Sequence, residues 1–397
     1  MRTIVDFKED KKIPKNKKSG IILLMKVLIA IDSMKGSLSS IEGGKAIAAG
    51  VHRVFPDATC DVRPLADGGE GTLEALVAGL GGELREITVM GPAGKPVAAV
   101  YGIIGNTAVI EMARAAGITL VTGDEKNPLL TTTYGVGEMI ADAVAHGARK
   151  FIVGIGGSAT NDGGVGMLQA LGFKFLDFNG SELSRGGAAL RDLKSVDRSH
   201  AIAELSDCVF KIACDVTNPL LGPNGASAVY GPQKGATPEM VAELDEALKV
   251  YSSVAGGDAN FPGAGAAGGL GFAFKTFLGG ELKSGVQLVL EETGFEDRVR
   301  DADIVVTGEG RLDKQTVMGK APIGVARIAK KYGKKVVAFS GCVTDGARKV
   351  NEYGIDAFFP ILRSVVTLEE ALDCRNAARN LTDTTEQVFR CLQLMAH

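Results

Sequence analysis

Several short stretches of this chain combine acids, a base and glycines in ways that suit handling a charged ligand. Asp32-Ser33-Met34-Lys35-Gly36-Ser37, Asp67-Gly68-Gly69-Glu70-Gly71, Thr307-Gly308-Glu309-Gly310-Arg311-Leu312-Asp313 and Ser340-Gly341 each follow an apolar run that reads as a strand. In open α/β sheets, ligands sit beyond the carboxyl ends of the strands. Four such ends would gather carboxylates, Lys35, Arg311 and flexible glycines on one edge. Taken singly, DGGEG and GEG are ordinary tight turns, where Asp and Gly dominate. Their coincidence at several strand ends is what points to a site.

A second constellation, GIGGSATNDGG at 154–164, also follows an apolar strand. Such a loop exposes consecutive N–H groups, and the hydroxyls of Ser158 and Thr160 add donors. Phosphate oxygens need this kind of nest at a helix start. Asp162 within it can hold Mg²⁺ or polarise a hydroxyl, and Asp215, ending the strand-like KIACD, is a second metal candidate. Lys234 and Lys283 are isolated lysines; the ordinary reading is a solvated surface charge, and phosphate contact is the alternative. His146 near a helix end reads as a partner of the helix dipole.

The absences narrow the chemistry. No GxxxxGK[ST] loop, GxSxG elbow or HRD loop occurs, so phosphoryl chemistry must use another scaffold. Residues 154–159 and 263–268 both match GxGxxG/A, which alone is weak. The second lacks a preceding strand. The first puts Asn161-Asp162 where a pyrophosphate would lie, so a nucleotide-binding oxidoreductase is a minor alternative.

The elements that must position these groups alternate. Residues 25–31 and 59–65 read as strands, with helices capped by Ser37 or Ser39 and from about Gly71. Residues 84–112 read as an antiparallel meander. Helices are expected over 133–146, 238–254 and 282–292, and a buried strand over 150–155. After residue 300 the strand–helix alternation returns and ends in two helices, 367–379 and 381–395. The expected architecture is α/β. A flavodoxin-like parallel-sheet domain is built from residues 25–85 plus 300–397, with a mixed α/β domain, 86–299, inserted between. Residues 1–24 read as a disordered extension. Their basic stretch and the run IILLMKVLIAI resemble a secretory leader, but Lys26 interrupts the run and no small-residue cleavage site follows.

At 397 residues, two or three domains are expected. Glycine, 53 residues, is clustered rather than periodic, which excludes collagen and favours loops near a ligand. A net charge of −3 without basic runs in the body of the chain argues against nucleic acid. No run spans a bilayer. Six cysteines without a CxxC pair, and four histidines, show no zinc spacing and fit a reduced, cytoplasmic protein.

DSMKGSL (32–38), DGGEGT (67–72), GIGGSATNDGG (154–164), ACDVTNPLLG (213–222), GPQKGA (231–236), PGAGAAGG (262–269), ELKSG (281–285) and TGEGRLDKQ (307–315), in this order, closely resemble bacterial glycerate kinases of the first type. The resemblance runs from Met25 almost to the C-terminus. It implies transfer of a phosphoryl group from ATP to D-glycerate with Mg²⁺, 2-phosphoglycerate being favoured. It also implies a discontinuous flavodoxin-like domain around a central one. A kinase for another small hydroxy acid is the nearest alternative. Within this frame ATP phosphates fall to Gly156, Gly157, Ser158, Ala159, Thr160, Asn161 and Lys283, and the metal to Asp162 and Asp215. The glycerate carboxylate falls to Arg311, Lys35 or Ser37, with Asp32, Glu70 and Glu309 as further acceptor-site residues. Asp67 or Asp313 is the expected base. No membrane or nucleic-acid partner is expected, and a homodimer stays open.

Overall fold

The computed structural model describes residues 24–66 and 71–395. The reading of an extension over 1–24 therefore falls, Leu24 apart, outside the described residues, as do Asp67 and Glu70.

The chain opens with β1 (Lys26–Ile31) and β2 (Thr59–Val62), paired in parallel. It then enters β3 (Glu83–Met90), β4 (Pro96–Ile104) and β5 (Thr107–Glu111), an antiparallel meander as its Gly-Pro and Gly-Asn turns predict. β6 (Lys150–Gly154) adds in parallel to β5. A small antiparallel pair, β7 (Lys174–Leu176) with β8 (Ser195–Asp197), stands apart. β9 (Val209–Ala213) and β10 (Glu281–Lys283) complete the central sheet, in the order β10-β9-β6-β5-β4-β3. The chain then returns with β11 (Ile304–Leu312), β12 (Lys335–Val343) and β13 (Ala357–Pro360).

These last strands join the first two in one parallel sheet, β13-β12-β11-β1-β2. Counted along the chain this is the flavodoxin order 2-1-3-4-5, whose switch point lies between β1 and β11. Both ends of the chain thus build one sheet, and β3, β4, β5, β6, β9 and β10 build another.

Parallel strands covered on both faces read as continuous apolar runs, and KVLIAI obeys this. Val27, Ile29 and Ile31 enter a core with Ile47, Val51, Leu381 and Phe389. Leu28 and Ala30 enter the opposite core with Leu76, Val289, Phe295 and Ile323. That second core also takes Val109 and Ile152 from the central sheet, so the helix Thr72–Leu80 is shared between the two sheets. The helices Gly285–Glu292 and Phe295–Asp301, placed by sequence with the insert, supply Val289, Phe295 and Val299 to this same core. Each such fully buried aliphatic or Phe side chain is worth about 1.5–3 kcal/mol.

Three elements differ from the sequence reading. TGEGRL is strand rather than loop, because Glu309 and Arg311 keep their register with Ser340 and Cys342. Residues 282–292 are not one helix. Leu282 pairs with Ile212, and Ser284 then caps the helix by accepting from the Gln287 N–H at 3.2 Å. The terminal helices are Leu368–Leu372 and Cys374–Met395. They break at Asp373, whose carboxylate accepts from the Asn376 N–H at 2.9 Å.

Candidate active site

A cavity of about 730 Å³ opens where the carboxyl edges of the two sheets face each other. Glu111, Gly154 and Ala213 line it from the ends of β5, β6 and β9, and Lys35 faces them from the loop after β1. A smaller cavity of about 190 Å³ adjoins the other sheet end, lined by Asp32, Ser33, Ser39, Ala66, Gly71 and Glu74. Arg114 lines both.

The floor of the larger cavity is residues 154–158. Gly156 and Gly157 are exposed to it, and Gly157 takes a left-handed φ of 74°. The loop is strapped to residues 116–118. The Ile118 N–H donates to the Gly157 carbonyl at 2.8 Å, and the Ala159 N–H donates to the Ala116 carbonyl at 2.9 Å. Ser158 borders the cavity, while Ala159, Thr160 and Asn161 turn inward and are buried. Thr160 Oγ1 and Asn161 Oδ1 find no partner among the described residues. The following helix, Val165–Ala170, begins well beyond the lining. The loop expected at a helix start therefore lies at a strand end instead.

Asp162 is fully buried under this loop. One carboxylate oxygen accepts from the Thr133 N–H (2.7 Å), the Thr133 hydroxyl (2.8 Å) and the Gly166 N–H (3.2 Å). The other accepts from the Gly164 N–H at 3.1 Å. Burial pushes its pKa up, and these donors pull the other way. Asp162 does not line the cavity.

Beside it the 262–269 segment packs backbone on backbone. A Cβ on Gly268 would stand 2.1 Å from the Thr160 carbonyl oxygen, so only glycine allows the approach. Ala267 keeps a left-handed φ of 53° where it borders the cavity. This PGAGAAGG stretch, discounted as a stray GxGxxG match, is thus part of the wall.

The expected residues divide between cavity and surroundings. Lys35 and Asp215 line the larger cavity; Asp215 is exposed and accepts from the Gly285 N–H at 3.1 Å. Asp32 lines the smaller one, and its N–H donates to the Gly308 carbonyl at 2.9 Å across the switch point. Ser37 Oγ is buried without a partner among the described residues. Glu309, Arg311 and Asp313 line neither cavity. Glu309 accepts from the Thr316 hydroxyl (2.6 Å) and Lys320 (3.3 Å), and burial raises its pKa. Asp313 lies 3.8 Å from the same Lys320. The segment still stands next to the first loop, since a Cβ on Gly310 would lie 3.4 Å from Met34 Cα. Lys283 does not line the cavity either; it pairs with Glu291 (2.9 Å) and Glu281 (3.2 Å).

The geometry is that of a cleft at the carboxyl ends of strands, floored by a glycine loop, and the comparisons with known proteins show the family. The sequence profile of the "Glycerate kinase family" matches residues 27–393. This chain belongs to the glycerate kinase family. Its activity is that of a glycerate kinase, a phosphotransferase. Over 373 residues it is 49% identical to the "Glycerate 2-kinase" of Escherichia coli (strain K12), covering 91% of this chain and 98% of that one. It is 48% identical to the "Glycerate kinase" of Bacillus subtilis (strain 168), covering 93% and 98%. A crystal structure assigned to the glycerate kinases, from Salmonella typhimurium LT2, superposes with a TM-score of 0.86 at 45% identity, covering 94% of this chain and 99% of that one.

Sequence reasoning passed over several residues that this glycerate kinase family fold brings to the cleft. Glu111 and Arg114 stand at the end of β5 in an unremarkable EMARAAG. Arg114 Nε donates to Glu111 at 3.0 Å and its Nη2 to Glu74 at 2.6 Å. Glu111 also accepts from the Leu73 N–H at 3.0 Å, and burial raises its pKa. Lys234, whose ordinary sequence reading is a solvated surface charge with phosphate contact as the alternative, is 1% exposed and borders the cavity. Its flanking glycines in GPQKG were the available signal, since Gly235, at φ 96°, packs on the Lys126 backbone. Among the described residues, no helix is long and apolar enough to cross a membrane.

Proposed function

We propose that this chain transfers the γ-phosphoryl group of ATP to the 2-hydroxyl of D-glycerate, in the cleft between its two sheets. The observation that carries the reading is the convergence on one cavity of a glycine loop, a hydroxyl, a carboxylate and a lysine from the opposite lobe. Phosphoryl transfer needs positioning and charge neutralisation more than covalent help from the protein. The N–H groups of residues 156–158 would hold phosphate oxygens, and Lys35 would face the developing charge.

Mg²⁺ binds through one or two carboxylates, with water and phosphates as its remaining ligands. Asp215 fits that role: it borders the cavity, is exposed, and is steadied by a backbone N–H. When bound, the ion neutralises phosphate charge. In this reading Asp162 anchors the loop instead, its oxygens being occupied by four donors.

The acceptor would sit where the two cavities meet, a space suited to a three-carbon acid. Arg114 there offers its carboxylate the better fork geometry. Asp67 or Asp313 would accept the hydroxyl proton. Asp313 supports that role less well, as it borders neither cavity. The free cysteines among the described residues favour a cytoplasmic protein.

The test is to incubate the protein with ATP, Mg²⁺ and D-glycerate and identify the product by phosphorus NMR. Coupling through enolase alone reports 2-phosphoglycerate directly. Glycerate left intact would end the reading, and 3-phosphoglycerate as sole product would end its regiochemistry.

A further inference from the structure

Lys234 closes the 3₁₀ turn Pro232–Lys234, and its ammonium is enclosed by protein. Nζ donates to Ser158 Oγ at 2.7 Å and to the Thr160 carbonyl at 2.6 Å. Both partners are neutral. Among the described residues the charge acting on it is that of Asp162, and no carboxylate forms an ion pair with it. A buried cation with only neutral partners is costly, and proteins retain one where it has a task.

The direction of these bonds matters. An ammonium carries only donors. Ser158 Oγ must therefore accept from Lys234, which leaves the Ser158 O–H free to donate. Ser158 borders the cavity beside the exposed Gly156 and Gly157. The Thr160 carbonyl, held by the same Nζ, pins the far side of the loop.

We propose that Lys234 is a positioning residue of the phosphate loop: by donating to Ser158 it commits the serine proton to a phosphate oxygen of ATP, and its buried charge balances that phosphate. The proposal rests on the reading of this cavity as the nucleotide site. The side chain acts through Ser158, from beneath the loop.

The experiment compares Lys234→Met, Ser158→Ala and the double variant by calorimetric Kd for ATP with Mg²⁺, by KM for glycerate and by Tm. Lys234→Met should weaken ATP about 10–100-fold, the range of a hydrogen bond to a charged group. KM for glycerate should stay within about twofold. Tm should change little, because relief of an unpaired buried charge is offset by the donor lost to Ser158 Oγ and the Thr160 carbonyl. Ser158→Ala should weaken ATP about tenfold on its own. In the Lys234→Met background it should add less than about twofold, since both act through one hydroxyl. Unchanged ATP affinity in Lys234→Met, or two losses that simply multiply, would overturn the proposal. If Lys234→Met fails to fold, Lys234→Gln, which keeps a donor without the charge, takes its place; wild-type ATP affinity in it is then the overturning result. Should Ser158→Ala and Asp215→Asn also leave ATP affinity untouched, the cavity assignment fails and the proposal with it. That pattern differs from an unaffected lysine variant beside a weakened serine variant.

Discussion

Arg114 ties the central sheet to the helix beneath the parallel sheet: its Nη2 donates to Glu74 on the helix Thr72–Leu80 at 2.6 Å. Its Nε is held at 3.0 Å by Glu111, at the end of β5. The guanidinium therefore sits at the meeting point of the two cavities with its orientation set by two carboxylates. Arg114→Met should lower kcat/KM for glycerate about 10–100-fold with the ATP KM changed less than threefold, as expected for a lost charged hydrogen bond. It should also lower Tm, because Glu111 is left buried without its cation. Arg311→Met should change both KM values less than threefold. Steady-state kinetics on the two variants decides between the arginines; an Arg311 effect larger than the Arg114 effect would reverse the assignment.

ATP affinity should fall at alkaline pH. Burial pulls the Lys234 pKa down to about 7, with the charge of Asp162 working in the opposite direction. Phosphate favours the ammonium, so binding raises this pKa. Below about pH 7 the group is already charged and affinity is flat. Above it, binding must take up a proton, and affinity should drop by up to about tenfold per pH unit until the bound-state pKa is passed. Calorimetry between pH 6 and 9 in two buffers of different ionisation heat measures both the slope and the proton uptake. Lys234→Met should show neither.

Asp162 and Asp215 should fail differently. Asn in place of Asp162 turns an NH₂ group toward donors in a fully buried pocket, at a cost of about 2–4 kcal/mol. A large fall in Tm with ATP affinity nearly kept in the folded fraction is expected. Asp215→Asn should leave Tm within about 2 °C, cut turnover at least about 100-fold and raise the Mg²⁺ needed for half-maximal rate. Melting curves and a Mg²⁺ titration separate the two, and equal Tm losses would refute the distinction.

Lys283 should be dispensable for nucleotide binding. Its ammonium is engaged by Glu281 and Glu291 outside the cavity lining. Exposed pairs of this kind contribute about 0–1 kcal/mol. Lys283→Ala should keep the ATP KM within about twofold and lose less than about 1 kcal/mol of stability by denaturant unfolding. A tenfold rise in KM would put Lys283 back among the phosphate ligands.

Ala267 holds a left-handed φ of 53° at the cavity wall. A left-handed residue with a Cβ costs roughly 1–2 kcal/mol, while glycine adds about 0.5–1 kcal/mol of unfolded-state entropy. Ala267→Gly should therefore be neutral or stabilising by up to about 1 kcal/mol in a thermal melt, with activity kept. A lower Tm would show that the methyl group earns its place by packing.

Periodicity and strand-end chemistry, which are local properties, are legible in the sequence. KVLIAI is apolar at every position because both its faces are covered. The meander at 83–111 declares itself by its turns. The glycine loops carry the residues of the cleft because backbone must approach backbone there, as Gly268 does to Thr160. The motif set from 32 to 315 was specific enough to name the family.

What only the tertiary structure decides is which polar group faces the cleft. Asp162 and Asp215 look alike in sequence, but packing against Thr133 turns one inward and the strand end of β9 leaves the other exposed. Lys234 and Lys283 look alike too; one is enclosed beneath the 154–161 loop and the other is held by surface acids. Glu111 and Arg114 gain meaning only when β5 is laid beside β6 and the helix after residue 71. The reason is physical: burial, pairing and the direction of a side chain are set by residues far apart in the chain, and no spacing along it records them.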